Sequence, residues 1–173
     1  MIKPGYKLLL AVISACALAQ AACDTERDPC LEPVTVALTM HTYRRADTGT
    51  TIIDTSFANA LFAPLDSEKV VYQVKSVPVY RITLSPVADS CRWYLQPDSA
   101  QRRKRDTLTF FYRRRLQFLS NACGYTYYYS VDSVRSTVRA FADTVHAIDS
   151  VRLANGDVNG KADVTHLKIY IRK

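Results

Sequence analysis

The sequence predicts an all-β domain, an antiparallel two-layer β-sandwich or small barrel of about eight strands, carried behind a signal peptide. Three observations point there. Apolar and polar residues alternate with period two in segment after segment from Val34 onward, the pattern of strands with one face in a core. Pro64, Pro78, Pro86 and Pro97 fall where those segments start or stop, as suits a residue that cannot donate to a ladder. Eleven Tyr against two Met and one Trp favour a sheet protein over a helical bundle. A chain of 173 residues that is 48% hydrophobic and 23% charged, with 5 Gly and 7 Pro, excludes disorder, a collagen-like repeat and a coiled coil. It has room for one domain and a targeting segment.

Residues 1–22 are the expected signal peptide. Lys3 and Lys7 form a basic start, an apolar run follows from Leu8 to Ala19, and Gln20-Ala21-Ala22 closes with small residues. The run is too short for a stable transmembrane helix. A Cys directly after small residues marks a bacterial lipoprotein site, and Cys23 is the expected lipidation site because cleavage before it leaves a signal of ordinary length. Cys16 has the better local lipobox, Ile13-Ser14-Ala15, but cleavage there leaves few apolar residues for the signal. A third route cuts after Ala21 with no lipid. Loss of residues 1–22 removes Lys3 and Lys7 and no acid, so the net charge falls from +7 to +5. Residues 23–32 are polar and acidic and read as a tether; residues 33–173 form the single domain.

With Cys16 discarded and Cys23 acylated, Cys30, Cys91 and Cys123 remain for an oxidising compartment. Three is odd, and that parity favours Cys16 as the lipid site, against the argument from signal length. The expected disulfide is Cys30–Cys123, because Cys30 opens the fold and Cys123 lies in a strand-end turn where backbone can adapt. That leaves Cys91 outside the bridge.

The strands follow in order. Val34, Val36, Leu38 and Met40 alternate with Thr35, Ala37, Thr39 and His41. Residues 51–57 form a second run rich in β-branched side chains, with Thr51, Ile52, Ile53 and Thr55. Tyr80, Ile82 and Leu84 alternate with Arg81, Thr83 and Ser85, and Cys91, Trp93 and Leu95 with Arg92, Tyr94 and Gln96. Leu108, Phe110 and Tyr112 start a strand that runs on to Leu119. After a turn over 121–124, Tyr125, Tyr127, Tyr129 and Val131 form the next. Residues 133–142 are compatible with a short helix. Residues 145–153 and Leu167, Ile169 and Ile171 give the last two strands.

Arg102, Arg103, Lys104 and Arg105 are the densest charge run, and Arg113, Arg114 and Arg115 follow. The run is expected at an exposed hairpin tip as a candidate anion-binding site for phosphate, a lipid headgroup or an acidic glycan. The plainer alternative is a solvated loop with edge protection. Alternation sends Arg113 and Arg115 to one face and Arg114 to the other. Nucleic acid is not an expected partner of an exported chain. The Tyr cluster at 125 and 127–129 is either a stacking platform or, more commonly, core filling. Residues 155–163 begin like a calcium loop, but Lys161, Ala162 and Lys168 occupy positions that need an acid, a Gly and an acid. His41, His146 and His166 have no catalytic or metal-ligand spacing, so neither metal nor cofactor is expected.

The segment Phe118-Leu119-Ser120-Asn121-Ala122-Cys123-Gly124-Tyr125, the Cys23–Cys30 spacing and the ending Thr165-His166-Leu167-Lys168-Ile169-Tyr170 resemble an uncharacterised family of Bacteroidota lipoproteins, known only as a domain of unknown function. Its sharpest motif is Ala122-Cys123-Gly124-Tyr125. The resemblance spans most of the mature chain, implies a lipid Cys followed a few residues later by a second Cys, and so supports Cys23 over Cys16. Cys91 and the 102–105 run depart from the pattern. The family brings location and fold, and no activity.

The expected function is therefore a binding or structural role for a non-enzymatic, envelope-tethered lipoprotein, in the outer membrane, held by its lipid anchor and meeting an envelope protein, glycan or anionic headgroup. The alternative from another class is an enzyme whose site is assembled across strands, which a pocket joining His and carboxylates would favour.

Overall fold

The computed structural model describes residues 29–31, 34–46, 51–57, 60–65, 72–74, 78–96, 106–137, 146–161 and 163–171. Eleven strands occur among them: β1 (Ala37–Arg45), β2 (Ile52–Asp54), β3 (Ala60–Pro64), β4 (Tyr72–Val74), β5 (Val79–Thr83), β6 (Ser90–Gln96), β7 (Asp106–Ser120), β8 (Gly124–Ser136), β9 (Ile148–Leu153), β10 (Asp157–Val158) and β11 (Leu167–Ile171). The described residues hold no helix, and so none long and apolar enough to cross a membrane.

The strands form two sheets. One has the order β2-β1-β11-β9, with β5 also on β1; the other runs β10-β8-β7-β6-β3-β4. One edge of β1 is shared, with β5 on Ala37–His41 and β2 on Tyr43–Arg45. Between them the Thr42 N–H donates to Pro78 O at 2.9 Å. Proline suits that junction, since it accepts without needing to donate. One pairing departs from the expected antiparallel order: β1 and β11 run parallel, from Met40↔Leu167 to Arg44↔Ile171. A parallel neighbour needs a long connection, and here nearly the whole domain lies between the two strands.

Alternation produces the core. β5 reads exposed, buried, exposed, buried, exposed, and β7 keeps the same rhythm from Asp106 to Tyr112. Leu38, Met40, Ile82, Leu167 and Ile169 from one sheet meet Phe62, Trp93, Leu95, Leu108, Phe110 and Tyr112 from the other in one cluster. Each such side chain contributes about 1.5–3 kcal/mol on burial. The Tyr112 phenol is buried with partners. Tyr112 Oη accepts from the Ser85 N–H at 2.9 Å and donates to Ser85 O at 3.1 Å. Burial raises the Tyr112 phenol well above its ordinary value and pushes Tyr80 up to about 12.

The eight expected strands correspond to β1, β2, β5, β6, β7, β8, β9 and β11, so β3, β4 and β10 are additional. The expected helix over 133–142 is corrected in its first part: 133–136 extend β8, because Leu108–Phe111 continues the ladder as far as Ser136. Residues 138–142 lie outside the described residues.

Candidate functional site

The β7–β8 hairpin is longer than the sheet that supports it. β6 pairs β7 only from Leu95↔Asp106 to Ser90↔Phe111, whereas β8 follows β7 out to Ser120↔Gly124. Past Tyr112 the buried alternation stops, and Arg113, Arg114, Arg115 and Leu116 are all exposed. The turn returns through Gly124, whose φ of 69° is a left-handed conformation that a side chain would strain.

Register divides this outer half into two faces. Arg114, Leu116 and Phe118 stand opposite Tyr129, Tyr127 and Tyr125. Arg114 Nε lies 2.9 Å from Asp89 Oδ1, and its Nη1 donates to Pro86 O at 2.8 Å. Further out the face is apolar and open: Leu116 is 56% exposed, Phe118 47% and Tyr125 62%, with the last two rings 5.1 Å apart. A groove of about 410 Å³ runs beneath, lined by Val34, Val36, Leu84, Pro86 and Tyr127 among others.

The other face carries Arg113 and Arg115 across from Ser130 and Tyr128. Arg113 Nη2 pairs with Asp132 Oδ1 at 3.0 Å. The Arg115 guanidinium sits 6.0 Å from the centre of the Tyr128 ring and makes no ion pair among the described residues. With Ser130 and Asp157 these residues line a groove of about 540 Å³. Exposed guanidiniums over a Tyr ring can take an anionic or a planar group; a solvated ion pair such as Arg113–Asp132 itself contributes little stability.

The tip is clamped. Cys123 forms a disulfide with Cys30, with Cα atoms 4.8 Å apart, and the Cys123 N–H donates to Ser120 Oγ at 3.0 Å. Thr126 Oγ1–H donates to Val34 O at 2.6 Å, so the start of the domain lies along the same end of the hairpin. Cys91 takes no part in the bridge and stands beside Tyr112.

Cys23, Arg102, Arg103, Lys104 and Arg105 lie outside the described residues. The run 102–105 leads into β7 at Asp106, and Arg113 is seven residues further on, about 24 Å along an extended strand. Arg113, Arg114 and Arg115 therefore lie well along β7 from its start at Asp106.

The histidines are engaged in the fold. His166 is buried; its Nδ1 accepts from the Thr39 N–H at 3.0 Å, which places its proton on Nε2, facing Asp157 O at 3.2 Å. His41 Nδ1 meets the Tyr43 hydroxyl at 3.0 Å, and its Nε2 is 3.6 Å from Asp54. His146 Nδ1 bonds to Asp106 Oδ1, and Asp106 Oδ2 accepts the N–H groups of Ala147 and Ile148 at 2.7 and 2.9 Å. This carboxylate–imidazole pair joins residues 40 apart in sequence, and motif spacing could not reveal it. One signal was present: Asp106 shares the inward phase of Leu108, Phe110 and Tyr112, where a carboxylate needs partners. The pair fixes the start of β9 to the start of β7. In the Asn- and Gly-rich loop that begins like a calcium site, Asn155 Oδ1 accepts from the Asp157 N–H and Asp157 Oδ2 from the Asn159 amide, at 2.8 and 2.9 Å. Those are turn-forming bonds.

A second surface escaped sequence reasoning. On the outer face of β1 and β11, Tyr43 stacks on Tyr170 at 5.8 Å, and the Lys168 ammonium lies 5.7 Å from the Tyr43 ring centre. Parallel pairing brings these residues together, and that pairing was not anticipated.

The chain belongs to a family of unknown function, DUF6452, which matches residues 59–171. The match contains the whole β7–β8 hairpin and leaves Cys23 and Cys30 outside. No curated protein and no solved structure matches the chain.

Proposed function

We propose that this protein is an exported lipoprotein of the Bacteroidota cell envelope, acylated at Cys23 and held at the outer membrane, whose β domain binds or braces a partner and does not catalyse a reaction. The observation that carries the binding role is the outer half of the β7–β8 hairpin. Three arginines and the side chains of Leu116, Phe118 and Tyr125 are displayed on a disulfide-clamped ribbon past the end of its supporting strand. An exposed apolar patch marks a contact site, and aromatic rings with arginines beside them are the composition of contact surfaces. The signal-like start, with Cys23 after small residues, supports the anchor.

A second reading, a glycan- or anionic-headgroup-binding module, is favoured by the groove in which Arg113, Arg115 and Tyr128 converge. Crosslinking the anchored protein in its own envelope, followed by mass spectrometry, tests the primary reading. Crosslinks are expected to start from the 113–128 ribbon, and Arg113→Ser/Arg115→Ser should lower their yield severalfold. Unchanged crosslinks in that variant and none from the ribbon would remove the hairpin from the binding role. Mass analysis of the mature N-terminus tests the anchor: an acylated peptide starting at Cys23 is expected, and one starting at Cys16 or Ala22 refutes it.

A further inference from the structure

We propose that the tip of the β7–β8 hairpin rests in the lipid–water interface of the membrane that anchors the chain, with Leu31, Phe118 and Tyr125 as its contact side chains. The inference rests on the anchoring reading and adds the orientation of the domain to it.

Where the N-terminal chain meets the fold decides the direction. The bridge to Cys123 holds Cys30 at the hairpin tip, and Thr126 holds Val34 beside it. Cys23 precedes Cys30 by seven residues, which span at most about 25 Å when fully extended. An acyl chain on Cys23 therefore keeps the tip within that distance of the bilayer. The opposite end of β1, where Arg45 pairs Ile52, is about 30 Å further along the strand direction.

The exposed tip has the chemistry of an interfacial contact. Leu31 is 90% exposed, Tyr125 62% and Phe118 47%, and the two rings touch. A phenol ring has an apolar body and a polar rim, which suits the headgroup level of a membrane. Residues 113–131 contain three arginines and no acid. Arg113 and Arg114 are tied to Asp132 and Asp89, and Arg115 is left to meet anionic headgroups behind the inserted rings. Immersing the last two rungs of a hairpin matches the 5–10 Å depth usual for side chains at this boundary. An adjacent anchor makes that contact intramolecular, so weak affinity of the tip for lipid suffices.

The test uses the full anchored chain, purified from its membrane and reconstituted into phosphatidylethanolamine–phosphatidylglycerol vesicles with brominated acyl chains. Indole reporters are introduced separately as Phe118→Trp, Tyr125→Trp and, as a distal control, Ile52→Trp, all at exposed positions; the signal of buried Trp93 is subtracted using the wild type. Quenching at 118 and 125 is expected to exceed that at 52 by about threefold or more, with a blue-shifted emission. Equal quenching at all three positions in a chain shown by mass spectrometry to be acylated at Cys23 overturns the orientation and leaves the anchoring reading standing. A blue shift that grows with protein density and is indifferent to bromolipid assigns the tip to a second copy and also overturns it. A chain that lacks acyl groups on Cys23 and does not stay with the vesicles overturns both.

Discussion

His166 shows how one side chain can couple the sheets to pH. Its Nδ1 accepts the Thr39 N–H while its own backbone N–H donates to Thr39 O at 2.9 Å, closing a ring of bonds at the start of β11. Burial lowers the pKa of this imidazole below the ordinary 6.5, because the charged form is poorly solvated there. The unfolded chain then binds a proton at a pH where the native chain does not, so this residue's contribution to stability is complete above about 6.5. It is lost progressively as pH falls from there to the lowered native value. Thermal unfolding between pH 8 and pH 5 should show the midpoint falling on the acid side. His166→Gln, which keeps an acceptor but does not titrate, should flatten that fall; an equal slope in both proteins would assign it elsewhere. The sequence offered no sign of this role. A lone His before a strand reads the same whether solvated or buried, and only the parallel β1–β11 register brings Thr39 to it.

At the scale of elements, what was legible followed the period of side chains. Tyr80, Ile82 and Leu84 alternate in sequence and are all buried, and Leu108, Phe110 and Tyr112 likewise. What was not legible is pairing that depends on the partner. β10 has two residues in an Asn- and Gly-rich loop and exists because β8 offers an edge, with Val158 fully buried against it. Gly156 permits that approach. The Val131 N–H donates to Gly156 O at 2.7 Å, and a Cβ on Gly156 would lie 2.6 Å from Val131 O, a backbone atom that cannot rotate away. Gly156→Ala should therefore destabilise the domain by about 1–3 kcal/mol, as overpacking does. Chemical denaturation measures it, and a variant as stable as the wild type would mean the loop simply shifts. The hairpin gives a second expectation at this scale. The Tyr112 N–H still reaches Asp89 O, but the N–H groups of Arg114, Leu116 and Phe118 point the same way, past the end of β6. Their amides should exchange with solvent orders of magnitude faster than those of Leu108 and Phe110, which face β6 within the sheet. Uniform protection along β7 would place another strand on that edge.

For the whole molecule the disulfide is the widest constraint, joining residues separated by 93 positions. Its value lies largely in the unfolded chain, which loses freedom when so long a loop is closed; the chain-entropy account gives about 4–5 kcal/mol for this length, and native bridges usually return about 2–5. The core described above already draws on both sheets, and β1 and β11 are joined by their own ladder, so the fold is expected to survive without the bridge. Cys30→Ser/Cys123→Ser should then remain folded with a midpoint lower by about 5–20 °C, given the shift of about 2–4 °C per kcal/mol for a chain of this size. Thermal unfolding of the double variant, and of the wild type with and without reductant, provides the measurement. The single variants should match the double, because either one opens the loop. If the double variant and the reduced wild type unfold at the same temperature as the oxidised protein, the bridge does not constrain the unfolded chain. Its contribution would then be confined to holding the N-terminal segment at the hairpin tip.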